Sequence, residues 1–494
     1  MGSFKSILGA TAILLATSTA VFAARTDLVL GLVLEPPHLD PTAGAAAAID
    51  EVVYANVFEG LTRIGPNGEV EPALAESWEV SDDGKTYTFK LHDGVKFHDG
   101  SSFDAEDVKF SLDRARAADS TNAQKVLFEA IENVEVVDPQ TVKVTLSRPQ
   151  GAFLYNMGWG DAVIVAPESA DGNKEKPIGT GPFKFQNWAK GSSITIVKNP
   201  DYWGEPVALE KAEFRIIPDA AAAIPAMLSG DVQAFPNMPA GDALPQIQAD
   251  PRFEVVIGAT EGETILSTNN KKEPFDNLKV RQAIAHALDR DAIIAGASEG
   301  GYGVPIGSHF SPANEAYVDL TDTYPHDVEK AKELMKEAGL ENGFKATIKL
   351  PPPSYARQGG EIIASQLREI GIELEIIPVE WAQWLEQVFT NKDYDLSIVS
   401  HTEPNDIEIY SRPDYYFNYQ NPEFNKVIEE LDTTTDQAKR NELYKQAQTI
   451  LAKDAVNGFL FELPKIGVWD AKLEGMWENS PVQANDLTAV KWTE

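Results

Sequence analysis

A chain of 494 residues without a single cysteine must be held together by hydrophobic cores alone if it folds outside the cytoplasm. Its first residues point outside. Lys5 gives a positive start, and ILGATAILLATSTAVFA follows as an apolar run of mostly small residues. VFAA then offers an A-x-A-like cleavage context after Ala23 or Ala24. The run is short and too poor in large apolar residues for a full membrane span, and no second stretch of comparable length follows. Residues 1–24 therefore read as a signal peptide and are set aside. The missing cysteine also removes a lipid-attachment site, so a soluble protein of a Gram-negative periplasm is expected. It excludes cysteine catalysis and thiolate metal sites as well. At this length two or three lobes are expected rather than one core. The net charge of −34 repels nucleic acid and anionic membrane faces, so neither is expected as a partner.

The pattern changes along the chain. TDLVLGLVLEPPHLDP reads as a strand and a Pro-rich loop. AIDEVVYANVFEGLTRI has the helical spacing Val53, Ala55, Val57, Leu61. Hairpins are expected around Asp82–Gly84, around Asp138-Pro139 and within GTGPFKFQNWAKGSSITIVKNPDYW. Between them, SSFDAEDVKFSLDR reads as a helix start, with Asp104 as cap and Glu106 and Asp107 in the first turn. The preceding LHDGVKFHDG contains His92 and His98, six apart; they read as solvated turn histidines rather than a metal pair. From about Phe275 the order becomes α/β. LKVRQAIAHALDRDAIIAGA reads as one long helix, and KATIKL, GGEIIASQLREIG and IELEIIPV as β-α-β with a largely parallel sheet.

Several stretches carry a resemblance. They are VFEGLTRIGPNGEVEPALAESWEVSDDGKTYTFKLHDGVKFHDGSSFDAEDVKFSLDR, IGTGPFKF, NPDYWG, PFDNLKVRQAIAHALDRDAI and AKELMKEAGL, in this order across Val57–Leu340. The chain resembles the extracellular solute-binding proteins of ABC importers, dipeptide/oligopeptide/nickel type (solute-binding family 5). The resemblance implies an α/β fold, a two-lobe periplasmic binding protein clamp with an extra subdomain in lobe I. It places lobe I at 25–266 with the subdomain at about 50–180, lobe II at 267–464, and a return to lobe I at 465–494. The crossings are expected near Thr264–Asn270 and Phe459–Val468. It implies a small-molecule solute, most simply peptide-like, an inner-membrane ABC permease as partner, and a monomer that needs no cofactor.

The resemblance, with the chemistry of the residues, implies where a solute would be held. Arg357, before a lobe II helix, offers a fork for a carboxylate, with Tyr355 beside it. SIVSHTEPNDIEIY leaves the C-terminal end of an apolar strand, where ligands of open α/β sheets gather; it carries His401, Glu403, Asp406 and Tyr410. Relatives that bind peptides often have a Trp and an Asp there, so His401 in the Trp place is a departure that argues against a standard dipeptide. One histidine with two acids is an incomplete metal set, and no metal site is assigned. Trp381 and Trp384 stand one helical turn apart and read as packing first. Trp159, between Gly158 and Gly160, suggests an exposed loop with close backbone approach and is the best aromatic from lobe I; Glu35 and His38 are weaker candidates. Tyr415 and Tyr416 read as packing.

Three functions compete: a receptor for a peptide-like solute, a receptor for an opine, sugar derivative or nickel/metal chelate, and a secreted hydrolase. Only GASEG, Gly296–Gly300, invites the last. It lacks the strand-turn-helix setting that a nucleophile elbow needs, so no catalytic residue is assigned.

Overall fold

The structure is a computed structural model. It describes residues 25–493 except 45, 240, 242, 243, 404 and 405; the proposed signal peptide lies outside the described residues.

Two long strands organise the molecule. Phe253–Thr268 and Gly458–Asp470 run antiparallel at the centre of an eleven-stranded sheet. On one side the sheet continues through Leu396–His401 and Phe344–Leu350 to Ile372–Pro378. On the other it continues through Ala234–Phe235, Asp27–Leu32, Lys211–Ile216 and Ser193–Lys198 to Phe183–Ala189. The expected parallel sheet holds for Ile372–Pro378, Phe344–Leu350 and Leu396–His401. At the two long strands the pairing turns antiparallel, and beyond them Asp27–Leu32 again pairs in parallel with Lys211–Ile216.

The ladder between the long strands is interrupted. Pairing runs to Ala259↔Pro464 and resumes at Glu263↔Glu462. The cores change across that break. Val255, Ile466 and Val468 pack with Phe235 and Met238, whereas Ile265 and Phe459 pack with Tyr394 and Tyr410, and Leu266 and Phe461 with Ile348 and Leu367. The break therefore lies just upstream of the Thr264–Asn270 window, and inside Phe459–Val468.

A separate core, with Phe89, Val108, Phe128, Val144 and Phe153, belongs to the first third of the chain. There a four-stranded antiparallel meander is ordered Ala75–Val80, Thr86–Leu91, Thr141–Leu146, Ile131–Asp138. The helix Ala105–Arg116 crosses it and starts as its sequence requires: Asp104 accepts from Glu106 N and Asp107 reaches back to Asp104 N. His98 is not a solvated histidine. Its ring bonds Gly181 O at 2.9 Å and accepts from Gly179 N, and burial lowers its pKa to about 4. His92 lies against Trp203, centroids 4.4 Å apart.

Two helices are shorter than the spacing predicts. Ala47–Val53 stops because Tyr54 turns to extended backbone. The long helix is two, Leu278–Ala287 and Arg290–Ala297: Leu288 is extended, and the Asp289 side chain accepts from Ala292 N to start the second. Ser298 follows that second helix as its C-cap, not a strand. The two ends of the described chain meet. Trp492 Nε1 donates to Asp27 O, and the Arg25 guanidinium lies over the Trp492 ring.

Candidate functional site

At the ladder break the long strands place three acids inside the protein. Glu261, Glu263 and Glu462 are 8%, 3% and 0% exposed. A buried carboxylate without a cation loses its hydration, so its charged form is disfavoured. Burial, then the charge of Asp406, raises Glu261 to about 8. Burial and neighbouring acids push Glu263 and Glu462 well above the ordinary carboxylate range. Among the described residues, Glu263 Oε2 and both carboxylate oxygens of Glu462 have no hydrogen-bond partner; the Gly262 amide and Thr260 hydroxyl favour the Glu462 charge only from outside bonding geometry. Glu261 lines a water-sized crevice with Asn67 and Tyr155 from the first third of the chain, and Ala313 and Asn314 from beyond the break.

Beside these acids the structure gathers His401, Asp406 and Tyr410, as the strand end suggested, and adds His309. His309 Nε2 lies 2.7 Å from Asp406 Oδ1, and His401 Nδ1 lies 3.6 Å from Asp406 Oδ2. The outer ring nitrogens meet tyrosines: His309 Nδ1 is 3.2 Å from the Tyr410 hydroxyl, and His401 Nε2 is 3.0 Å from that of Tyr416. Burial lowers both imidazoles, His309 to about 3 and His401 to about 4, and raises Asp406. Sequence reasoning missed His309. It sits in the loop segment IGSHFSP, 97 residues before Asp406, with no local pattern to mark it.

The other candidates between Tyr355 and Tyr416 are more dispersed. Arg357 lies in the first turn of the helix Ser354–Arg368. Its guanidinium donates to Pro351 O and Val379 O, at 2.8 and 3.0 Å, with Glu380 at 3.9 Å. It remains about one third exposed. The Tyr355 hydroxyl accepts from Ser400 N. Glu403 is exposed and accepts from Thr402 N. Trp384 is buried and donates to Ser397 Oγ, while Trp381 meets it edge-on and is 42% exposed. Tyr416 is fully buried and Tyr415 partly so.

In the first third of the chain, Trp159 lines a crevice of about 50 Å³ with Gly44, Ala47, Asp50, Tyr54, Gly160 and Asp161 among its walls. The loop is half-buried rather than exposed, but the close approach expected of its glycines is present: a Cβ on Gly160 would stand 2.1 Å from Asp50 Oδ1. Among the described residues, one oxygen of Asp50 and one of Asp161 are buried without a hydrogen-bond partner. Burial raises Asp161 to about 7, and burial, then the Asp161 charge, pushes Asp50 well above the ordinary carboxylate range. Sequence reasoning missed both acids. Glu35 accepts from Trp188 Nε1 and Gly191 N and so fastens a hairpin turn. His38 accepts from Asp40 N; burial, then Lys174, lowers its pKa.

Comparison with known proteins fits this architecture. The family described as bacterial extracellular solute-binding proteins, family 5 Middle, matches residues 69–443. The dipeptide-binding protein of Escherichia coli (strain K12) is 34% identical over 435 residues, 78% of this chain and 80% of that protein. Heme-binding protein A of Haemophilus influenzae is 31% identical over 437 residues, 78% of each. The glutathione-binding protein GsiB of Pectobacterium atrosepticum is 31% identical over 499 residues, 95% of this chain and 94% of that protein. Among solved structures, HbpA2 from Haemophilus parasuis superposes with a TM-score of 0.87 at 27% identity, covering 95% of this chain and 100% of the other. DppA from Helicobacter pylori in complex with the peptide STSA gives 0.75 at 28% identity, covering 95% and 98%.

Proposed function

The chain belongs to the bacterial extracellular solute-binding proteins of family 5, which are binding proteins and not enzymes, and from that premise we propose that it captures a small peptide-like solute between its lobes and delivers it to the permease of an ABC importer. It would act in the periplasm as a monomer, after removal of residues 1–24. We take lobe I as 25–266 with the subdomain at about 50–180, lobe II as 267–464 and the return as 465–494. The interrupted ladder at Ala259–Glu263 is then the hinge.

The observation that carries the peptide-like reading is the crevice beside Trp159, where Asp50 and Asp161 present buried, unpartnered carboxylate oxygens. An ammonium group satisfies such oxygens, and an indole face adds cation–π attraction. Arg357 supplies the complementary charge for a carboxylate at the other end, its fork partly exposed at a helix start. Glu403 is the accessible acid of the loop that follows Leu396–His401; Asp406 is already engaged with two histidines. A solute with an amine and a carboxylate fits this set, as the relatives named for dipeptide and glutathione binding suggest.

Mass spectrometry of the ligand released on denaturing the purified protein tests the reading. A zwitterionic, amino-acid-like species is expected. A ligand that lacks either the amine or the carboxylate sinks it and favours the second reading, a solute of another class, which the heme-binding relative keeps open.

A further inference from the structure

The solute reading leaves one donor set unused. His309, His401 and Asp406 each bring one ligand-type atom to within 4.8 Å of the others. They are 1%, 8% and 9% exposed. They come from three segments: the loop after Val304–Pro305, the end of Leu396–His401, and the start of the turn Asp406–Ser411. We propose that His309, His401 and Asp406 form a binding site for a zinc-type divalent cation, with Glu263 and Glu462 as its charge partners.

The first support is orientation. A histidine that ligates a metal through one nitrogen is normally held by a hydrogen bond at the other. Here His309 Nε2 and His401 Nδ1 both face the Asp406 carboxylate, while Nδ1 and Nε2 respectively face the hydroxyls of Tyr410 and Tyr416. With an ion bound, the ring proton of His309 sits on Nδ1 and is donated to Tyr410. That hydroxyl also accepts from Asn457 Nδ2, and its two lone pairs serve both donors. Two imidazoles and a carboxylate are the ligand types that zinc takes, with a fourth position left over.

The second support is the surrounding charge. Glu263 stands opposite His401 on one side and Glu462 on the other in the strand register. Directly paired residues share a face of the sheet, so the three side chains form a row at roughly 4.8 Å spacings. One hydrogen bond, His309–Asp406, the close approach of His401 to Asp406 and the two tyrosine hydroxyls engage the trio's own polar atoms. Among the described residues, Glu263 Oε2 and both oxygens of Glu462 stay buried and unpartnered. A dication beside this row neutralises what the trio alone does not.

Cobalt(II) titration of the full chain, stripped with EDTA and desalted, reads the site directly through its d–d absorption, with no solute required. Failure of the solute reading therefore leaves this test standing. We expect saturable binding at sub-millimolar cobalt, competed by zinc, and a melting temperature that zinc raises and EDTA lowers. His309→Gln and Asp406→Asn should each weaken cobalt binding by at least about tenfold. Tyr416→Phe keeps the ring packing and should weaken it by roughly tenfold; it decides the matter if the ligand variants do not fold. His326→Gln, an exposed histidine paired with Asp289, should change nothing. No saturation at millimolar cobalt, or saturation unchanged in all three site variants, overturns the proposal.

Discussion

Gly160 has no side chain, and Asp50 occupies the space one would need, its Oδ1 2.1 Å from where a Cβ would stand. Gly160→Ala must push that carboxylate out of the crevice beside Trp159. Overpacking of this kind costs about 1–3 kcal/mol, so a lower melting temperature is expected together with weaker binding of a zwitterionic solute by calorimetry. Unchanged affinity would remove Asp50 from the site. Arg357 separates two roles in the same way. If its fork meets the solute carboxylate, Arg357→Ala should cost about 2–5 kcal/mol, roughly thirtyfold or more in affinity. If it only ties Pro351 O and Val379 O, stability falls and affinity does not. Arg357, His401 and Asp406 stood out in the sequence because the resemblance and the end of an apolar strand drew attention to their segments. His309, Asp50 and Asp161 did not. Each lies in a segment whose local pattern is complete without it, and only the tertiary fold removes it from water.

Helix starts were the most legible elements, since a cap is local chemistry. Asp104→Ala removes the acceptor for Glu106 N and one half of the reciprocal pair with Asp107. A loss of about 1 kcal/mol is expected in denaturant unfolding, with the midpoint lowered and the slope unchanged; no shift would mean that the cap is idle. The same chemistry misled at Leu288. Apolar spacing continues smoothly from Val280 to Ile294, yet Asp289 starts a new helix by capping it. A carboxylate inside an apolar rhythm fits the polar face of one helix as well as the cap of the next, and the sequence holds both options. The two long strands were less legible still. Their apolar runs were visible as TILSTNN and FLFELPKIGV, but their pairing joins segments about two hundred residues apart, and the ladder break at Ala259–Glu263 exists only once they pair.

At the scale of the whole molecule, buried acids set the response to pH. Burial raises Asp107 to about 6, Asp161 and Glu408 to about 7, and Glu261 to about 8. The folded state therefore holds protons that the unfolded chain gives up near pH 4. Stability must fall as pH rises from about 4 through these values. His98 acts oppositely: its folded pKa of about 4 makes stability fall as pH drops from about 6.5 toward 4. The melting temperature should peak on the acid side of neutrality and decline from pH 6 to 9; a steady rise over that range would contradict the acid assignment. Ligand closure belongs to this scale too. Small-angle scattering should show a smaller radius with saturating solute, and an unchanged radius would argue against bending at the ladder break. The meeting of the chain ends has a consequence in time. Leu28 and Leu30 share one core with Trp469, Leu487 and Val490. A polypeptide threaded outward from its N-terminus presents the first pair early and the last three almost at the end. If the chain is exported in that order, the opening strand meets Phe183, Ile194 and Phe214 of this core on the way, and Trp469, Leu487 and Val490 close it only after more than four hundred further residues. The core that is begun first would then be the one completed last.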